Sequence, residues 1–346
     1  MPAEPLLQSV IEQPNFERRI IRSHRMEIFA EKKAAVTNSF AEDVEIGLTA
    51  YPKYLSPKYF YDVQGSLLFE QITATEEYYP TRSERWILEK YIEDLNSICE
   101  SIDVVSELGS GNSEKTKIIL DMFAGRRQHL HYIPIDVSDI LINSSRDLTR
   151  QFHNLSITGI ISDYEQGLSL LSQIEDDPKL LIFLGSSIGN FENDEIITLM
   201  QNIGDALYEK DYLLIGFDLE KDEKILNRAY NDEAGITSAF NKNILKRMNR
   251  ELNADFNLNY FQHHAFFNPQ KHRVEMHLVS TKNQFVHIGK LGRTISFYEG
   301  ESIHTENSHK FSDELIKEYA RQANLQVVKT YKDENKYFAL SLLATI

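Results

Sequence analysis

Residues 106–116 read Ser-Glu-Leu-Gly-Ser-Gly-Asn-Ser-Glu-Lys-Thr, between the apolar pair Val104-Val105 and the helix-forming run 117–123. Strand, glycine turn and helix in that order present backbone N–H groups at a helix N-terminus, which is how α/β folds hold nucleotides. A dinucleotide turn needs a third glycine three residues after Gly111, and a phosphate-cradling loop needs a glycine directly before its Lys-Ser/Thr pair. Glu114 occupies that position in both cases, and its carboxylate would repel a polyphosphate approaching the same amides. The turn argues against both phosphate ligands.

S-adenosylmethionine carries no phosphate. It needs glycine for close backbone approach, here Gly109 and Gly111 flanking Ser110, and a cation for the methionyl carboxylate, which Lys115 can supply. Downstream, 131–136 reads as a second strand ending in Asp136, an acid placed to accept from ribose hydroxyls. A third strand, 156–161, leads to Asp163 and Tyr164, an acid for the adenine amino group and an aromatic face for its ring. Either aspartate alone is more simply a helix cap or turn residue. Two acids ending successive strands beside a glycine turn weigh toward a donor site.

Short apolar runs at 104–108, 132–135, 157–161, 180–184 and 212–217 alternate with amphipathic stretches. That pattern predicts parallel strands with right-handed crossovers and a ligand at their carboxyl ends, an α/β, Rossmann-like core. The fourth run leads into small residues from Gly185 to Asn190, which leave space beside a methyl donor. After Asp218 the alternation stops. Helices over 223–252 and strands over 257–280 and 283–296 are too much chain for a loop and predict an inserted α+β substrate-binding subdomain. A helix at 313–323 and strands at 326–331 and 337–343 close the chain.

The expected division is a variable extension at 1–40, a helical part of the substrate subdomain at 41–100, the core at 101–220, the insertion at 221–310, and a helix and strands completing the core at 311–346. Residues 27–41 have helical spacing, and the N-terminus reads as an extension or peripheral helix.

Composition narrows the function. Acids outnumber Lys plus Arg by 52 to 37, a formal charge of −15 that argues against a nucleic-acid surface. The single Cys99 excludes an intramolecular disulfide and a cysteine zinc cage, as suits a reducing cytoplasm. No apolar run approaches the ~18 residues of a membrane helix, and no secretory h-region is recognisable. The adjacent His263 and His264 point to opposite strand faces, as do His272 and His277, so no metal site is expected.

Several segments resemble a known family: Lys58-Tyr59-Phe60-Tyr61-Asp62, Glu77-Tyr78-Tyr79-Pro80-Thr81-Arg82, the glycine turn, Leu184-Gly185-Ser186-Ser187-Ile188-Gly189-Asn190, the run 230–241, Val274-Glu275-Met276 and Thr305-Glu306-Asn307-Ser308. In this order they are similar to the S-adenosylmethionine-dependent histidine Nα-methyltransferases of ergothioneine biosynthesis, over nearly everything after about residue 40.

The resemblance implies a class I methyltransferase core and stepwise trimethylation of the α-amine of L-histidine to hercynine by a cytoplasmic monomer. It also implies that Tyr61, Asn190 and Tyr230 hold the α-carboxylate, with Asn190 also near the amine. Glu306 and Ser308 would recognise the imidazole, and Tyr78, Gly185, Thr237, Phe240 and Met276 would form the pocket wall. Taken singly, these tyrosines are ordinary packing residues, Asn190 a helix cap, Glu306 a solvated acid and Met276 core. The alternative substrate is another amino acid or an aromatic amine such as tryptophan, against which an unpaired Glu306 carboxylate facing an indole would count. Rival classes are a nicotinamide oxidoreductase, disfavoured by the missing glycine, and a donor-binding protein without turnover. Asn112, Ser187 and Phe217 each stand where the family pattern has threonine.

Overall fold

A computed structural model of the chain describes residues 16–23, 25–31, 40–111 and 113–346. In chain order the strands are β1 (Phe16–Ser23), β2 (Met26–Glu31), β3 (Lys53–Tyr54), β4 (Val104–Leu108), β5 (Leu130–Asp136), β6 (Leu155–Ile161), β7 (Lys179–Phe183) and β8 (Tyr212–Asp218). They continue with β9 (Phe261–Asn268), β10 (Arg273–Ser280), β11 (Gln284–Ile288), β12 (Arg293–Phe297), β13 (Ser302–His309), β14 (Leu325–Lys332) and β15 (Phe338–Thr345). The helices are α1 (Phe40–Thr49), α2 (Val63–Thr73), α3 (Tyr79–Ile98), α4 (Thr116–Ala124), α5 (Ile140–Gln151), α6 (Tyr164–Ile174), α7 (Asn193–Asp205), α8 (Glu223–Ala229), α9 (Ile236–Leu252) and α10 (Asp313–Gln322).

Nine strands form the main sheet in the order β1-β2-β6-β5-β4-β7-β8-β15-β14. β4 and β7 are buried along their whole length because helices cover both faces, which is why they read as unbroken apolar runs. From β4 the chain moves outward through β5 and β6, then returns to the other side of β4 as β7. The order reverses at β4, so a crevice opens beyond its carboxyl end, where the glycine turn lies. β15 closes antiparallel on β8, with Ala339 opposite Phe217.

One expectation fails here. Residues 26–31 are a strand rather than part of a helix: β2 lies parallel to β6 with Ile28 opposite Gly159, and β1 pairs antiparallel to it. Ile28, Phe29 and Ala30 are all buried, so this short apolar run is an inner strand, between β1 and β6, whose flanking Glu and Lys mimic a helical pattern. The segment is thus neither a peripheral helix nor wholly outside the core. Residues 1–15 and 32–39 lie outside the described residues.

A second sheet, β3-β13-β10-β9, and the β11-β12 pair come from the insertion together with β3. They share a separate hydrophobic core with residues from the 40–79 region, including Val44, Phe60, Phe240, Ile244, Met248, Leu278 and Ile303. Antiparallel β10 and β13 run in register from Arg273↔His309 to Met276↔Glu306, and then slip, so that His277 faces His304 and Thr305 is left as a bulge. The bulge decides which way Glu306 points. With strict alternation Glu306 would share the face of His304; the extra residue moves it to the face of Leu278 and Ile303. Buried Asn241 of α9 holds the bulge, accepting from Thr305 Oγ1 at 2.9 Å and donating to His277 O at 3.1 Å.

Candidate active site

The glycine turn fits a ligand whose groups approach backbone. Gly109 and Gly111 have φ of 68° and 48°, in the left-handed region. A Cβ on Gly109 would lie 2.8 Å from the Tyr164 hydroxyl, whereas around Gly111 there is open space. Ser110 is buried and its Oγ has no partner among the described residues. Asp136 ends β5 beside the turn, its Oδ2 accepting from Gly111 N at 2.9 Å and its Oδ1 from Ser138 N at 2.8 Å. Burial pushes its carboxyl up against the pull of those two amides. Each oxygen keeps a lone pair for a ribose hydroxyl.

Asp163 caps α6 through Gln166 N at 2.9 Å, so the simple cap reading describes one of its oxygens. Tyr164 packs edge-on against Phe183. Lys115, expected as the cation for the donor carboxylate, is ion-paired with the buried Glu84 of α3, whose other oxygen accepts from Gly185 N at 2.7 Å. Glu84 was not singled out from the sequence; it lies 31 residues before its partner. The turn, Asp136, Asp163, Tyr164 and Lys115 nevertheless fit S-adenosylmethionine: an orphaned hydroxyl, open backbone and two acids lie along its expected path.

Tyr61, Tyr78, Gly185, Asn190, Tyr230, Thr237, Phe240, Met276, Glu306 and Ser308, which come from every stage of the chain, line one cavity. Phe69, Pro80, Ser186 and Asp218 complete much of its wall. Gly185 and Ser186 have φ of 80° and 55°, and this bend after β7 sets up the short 3₁₀ turn Ser187–Asn190 at the cavity edge. A Cβ on Gly185 would approach Lys115 Nζ to 3.0 Å, so the bend passes directly over the donor-side cation. Aromatic rings form a cluster on the other wall: Tyr61 meets Phe69 and Phe240 with centroids 5.7 Å apart in each case, and Tyr78 meets Tyr230 at 6.3 Å.

The polar floor rests on two buried lysines around one buried aspartate. Asp218, at the end of β8, accepts from Tyr79 Oη at 2.7 Å, Lys221 Nζ at 2.5 Å and Lys310 Nζ at 2.8 Å. Burial acts to raise its carboxyl, but the two ammonium groups outweigh that and hold it below the usual range. Burial also pulls Lys221 down to about 8. Lys310 is fully buried and donates as well to Ser308 Oγ at 2.7 Å and Tyr230 Oη at 3.1 Å. Tyr230 in turn donates to Ser308 Oγ at 2.6 Å.

Glu306 differs from these groups. Its carboxyl faces the cavity and accepts no protein hydrogen bond among the described residues, and burial pushes it up to about 8 against the pull of Lys310. Tyr61 is 41% exposed as a residue, yet its phenol end lies inward, near Glu306, Tyr78, Tyr164 and Tyr230. Burial first, and then the Glu306 charge, hold that phenol well above its ordinary value. Phe217, the unexplained departure from the family pattern, is fully buried on the opposite side of β8, edge-on to Phe311 with centroids 5.0 Å apart. It fills core and does not enter the cavity lining.

A doubly wound parallel sheet with a glycine turn at its switch point and acids on the next two strand ends defines a class I S-adenosylmethionine-dependent methyltransferase, here with a substrate cavity roofed by a second sheet. The family described as histidine-specific, S-adenosylmethionine-dependent methyltransferases matches residues 40–345, and the chain belongs to it. Similar proteins include the histidine N-alpha-methyltransferase of Mycobacterium tuberculosis, 39% identical over 303 residues, spanning 87% of this chain and 94% of that protein. The corresponding protein of Mycolicibacterium smegmatis is 38% identical over 89% of this chain and 95% of its own. Ergothioneine biosynthesis protein 1 of Schizosaccharomyces pombe is 28% identical over 79% of this chain but only 36% of its own length. S-adenosylmethionine is accordingly the methyl donor, and the nicotinamide reading is set aside.

Proposed function

We propose that this protein methylates the α-amine of L-histidine three times to give hercynine, the first step of ergothioneine biosynthesis. The observation that carries the reading is the single cavity in which Glu306 and Ser308 lie across from Asn190 and the Gly185 bend. A carboxyl and a hydroxyl two residues apart on one strand face can engage both nitrogens of an imidazole. Met276, directly opposite Glu306 in the sheet, closes the space a larger indole would require.

S-adenosylmethionine supplies an electrophilic methyl group on sulfonium, and the protein's task is to hold a neutral amine in line with it and keep water out. Tyr230 spends its proton on Ser308, so the donors left for the α-carboxylate are Tyr61 and the Asn190 amide. Neither side chain has a protein hydrogen-bond partner among the described residues. A phenol held above its ordinary value stays protonated at neutral pH, which makes Tyr61 a hydrogen-bond donor and leaves solvent to take the amine proton. The rings of Tyr61, Phe69, Tyr78 and Phe240 offer faces to an ammonium that becomes a permanent cation at the third transfer. A quaternary nitrogen has no lone pair, so the sequence ends there.

We take the working unit to be a monomer in the cytoplasm, a compartment that the free, buried Cys99 suits. Among the described residues no helix is long and apolar enough to cross a membrane. We take the substrate unit to be residues 40–79 with the 221–310 insertion, because these share one core, whereas Ile87, Leu88, Ile92 and Leu95 of the expected 41–100 segment pack in the core of the nine-stranded sheet.

Mass spectrometry after incubation with S-adenosylmethionine and an equimolar amino-acid mixture tests the reading. Histidine is expected to gain one, two and then three methyl groups while the others stay unchanged. Methylation of tryptophan or another amino acid instead would overturn the assignment of Glu306, and donor binding without any methylation would point to a binding protein.

A further inference from the structure

We propose that Lys310 is a positioning residue that fixes the direction of the Ser308 hydroxyl, so that the site binds the histidine side chain as a neutral imidazole donating to an ionised Glu306. The proposal rests on the histidine reading above and concerns the protons at that site.

A serine hydroxyl has two lone pairs and one proton. Ser308 Oγ lies 2.7 Å from Lys310 Nζ, which can only donate, and 2.6 Å from Tyr230 Oη. A phenol is the more acidic and less basic of two hydroxyls, so Tyr230 gives its proton to Ser308 rather than the reverse. The lysine distances agree with this, since Nζ lies nearer the better acceptor, 2.7 Å to Ser308 against 3.1 Å to Tyr230. Both serine lone pairs are then filled, and the only thing Ser308 can present to the cavity is its proton. A ring nitrogen facing it must be unprotonated. The other ring nitrogen carries the hydrogen and needs an acceptor, which Glu306 provides most strongly as a carboxylate, because a charge-assisted hydrogen bond is about twice as strong as a neutral one.

The empty site sets the proton count. The charged and titratable groups facing Glu306 are Lys310, just beyond its own strand, and the phenols of Tyr61, Tyr78 and Tyr230, all held protonated by burial. With a carboxyl pushed up to about 8, Glu306 is largely protonated at pH 7 before the ligand arrives. Binding a neutral ring as an N–H donor therefore transfers the Glu306 carboxyl proton to the buffer. Were Ser308 an acceptor, the ring could bind as imidazolium on the carboxylate. The Glu306 proton would then remain on the ring, and almost none would be released.

Hercynine isolates this proton, because its quaternary amine cannot titrate. Calorimetry of hercynine binding at pH 7, in buffers of different ionisation enthalpy, is expected to show release of about one proton per site in the wild-type protein, given an ordinary imidazole value of about 6.5. In Lys310→Met one lone pair of Ser308 is freed, and Asp218 keeps Lys221 and Tyr79 as partners, so its charge stays compensated. Tyr230→Phe frees a Ser308 lone pair while leaving the Lys310–Asp218 pair intact. In both variants the released proton count is expected to fall toward zero, a change that a purely structural lysine would not cause. Binding to wild type without proton release, or equal release from all three proteins, overturns the proposal while leaving the histidine reading in place. Absence of both hercynine binding and histidine methylation removes that reading and the proposal with it.

Discussion

On the proposed reading substrate choice turns on Glu306, the one carboxyl in the cavity wall left without a protein partner among the described residues. Glu306→Gln preserves size but removes the carboxylate, and a hydrogen bond to a charged group contributes about 1.5–3 kcal/mol. The KM for histidine is expected to rise roughly 10- to 100-fold, with the donor Kd unchanged, as read by steady-state kinetics and donor titration. The same residue predicts a pH effect on stability. Its folded value, about 8, lies above the ordinary carboxylate value of about 4.3, so between these limits the native state holds more protons than the unfolded chain. Wild-type stability thus falls as pH climbs through that window, whereas the glutamine variant has nothing to titrate there. Thermal unfolding midpoints from pH 5 to 8.5 should show the variant gaining steadily on wild type and levelling off above about 8; a constant difference would contradict the burial of this carboxyl. Lys310, which steers Ser308, was not legible in the sequence. A lysine reads as surface, and only its fold places it against Asp218, 92 residues away.

At the scale of elements, the bulge in β13 does for Glu306 what no residue choice could. Deleting Thr305 restores plain alternation against β10 and turns either the Glu306–Ser308 end or the Ile303 end to the wrong face. The variant is expected to lose histidine binding while still binding S-adenosylmethionine, whose proposed contacts lie on the other sheet. Calorimetry with each ligand separates the outcomes, and retained histidine binding would show that the bulge is not what aims Glu306. How far the sequence disclosed these elements follows from what forms them. β4, β5, β7 and β8 are buried on nearly all of both faces and β6 on much of its length, and each was visible as an apolar run bounded by turns. β13, Ser-Ile-His-Thr-Glu-Asn-Ser-His, is polar along most of its length and is a strand because β10 and β3 pair with it, which local composition does not encode. β2 failed for the opposite reason, its short apolar run being flanked by residues that suit a helix. The cavity residues were found through their motifs, and the pairing of Lys115 with Glu84 was missed because it joins distant elements.

For the molecule as a whole, the site is the place where two separately cored units meet. The glycine turn, Asp136 and the Gly185 bend belong to the nine-stranded sheet, whereas Met276, Glu306 and Ser308 belong to the four-stranded one. Contacts between the units gather at this seam. Arg273 of β10 donates to Glu192 at 2.6 Å and Asn307 of β13 donates to it at 2.9 Å, just past the turn that carries Asn190. Because the ligands divide between the units, their linkage to stability should divide as well. A ligand that binds only the native state adds RT ln(1 + [L]/Kd), about 2.7 kcal/mol at 100 times its Kd. For wild type, S-adenosylhomocysteine and hercynine should each raise the unfolding midpoint at that saturation. For Glu306→Gln at the same concentrations, the S-adenosylhomocysteine shift should persist in full. The hercynine increment should drop to about 1.4 kcal/mol for a tenfold loss of affinity and about 0.4 for a hundredfold loss. Thermal shift measurements on both proteins decide the matter. If the donor-side shift vanished together with the hercynine shift, Glu306 would be supporting the seam rather than reading the ring, and the separation of donor and substrate sites between the two sheets would not hold.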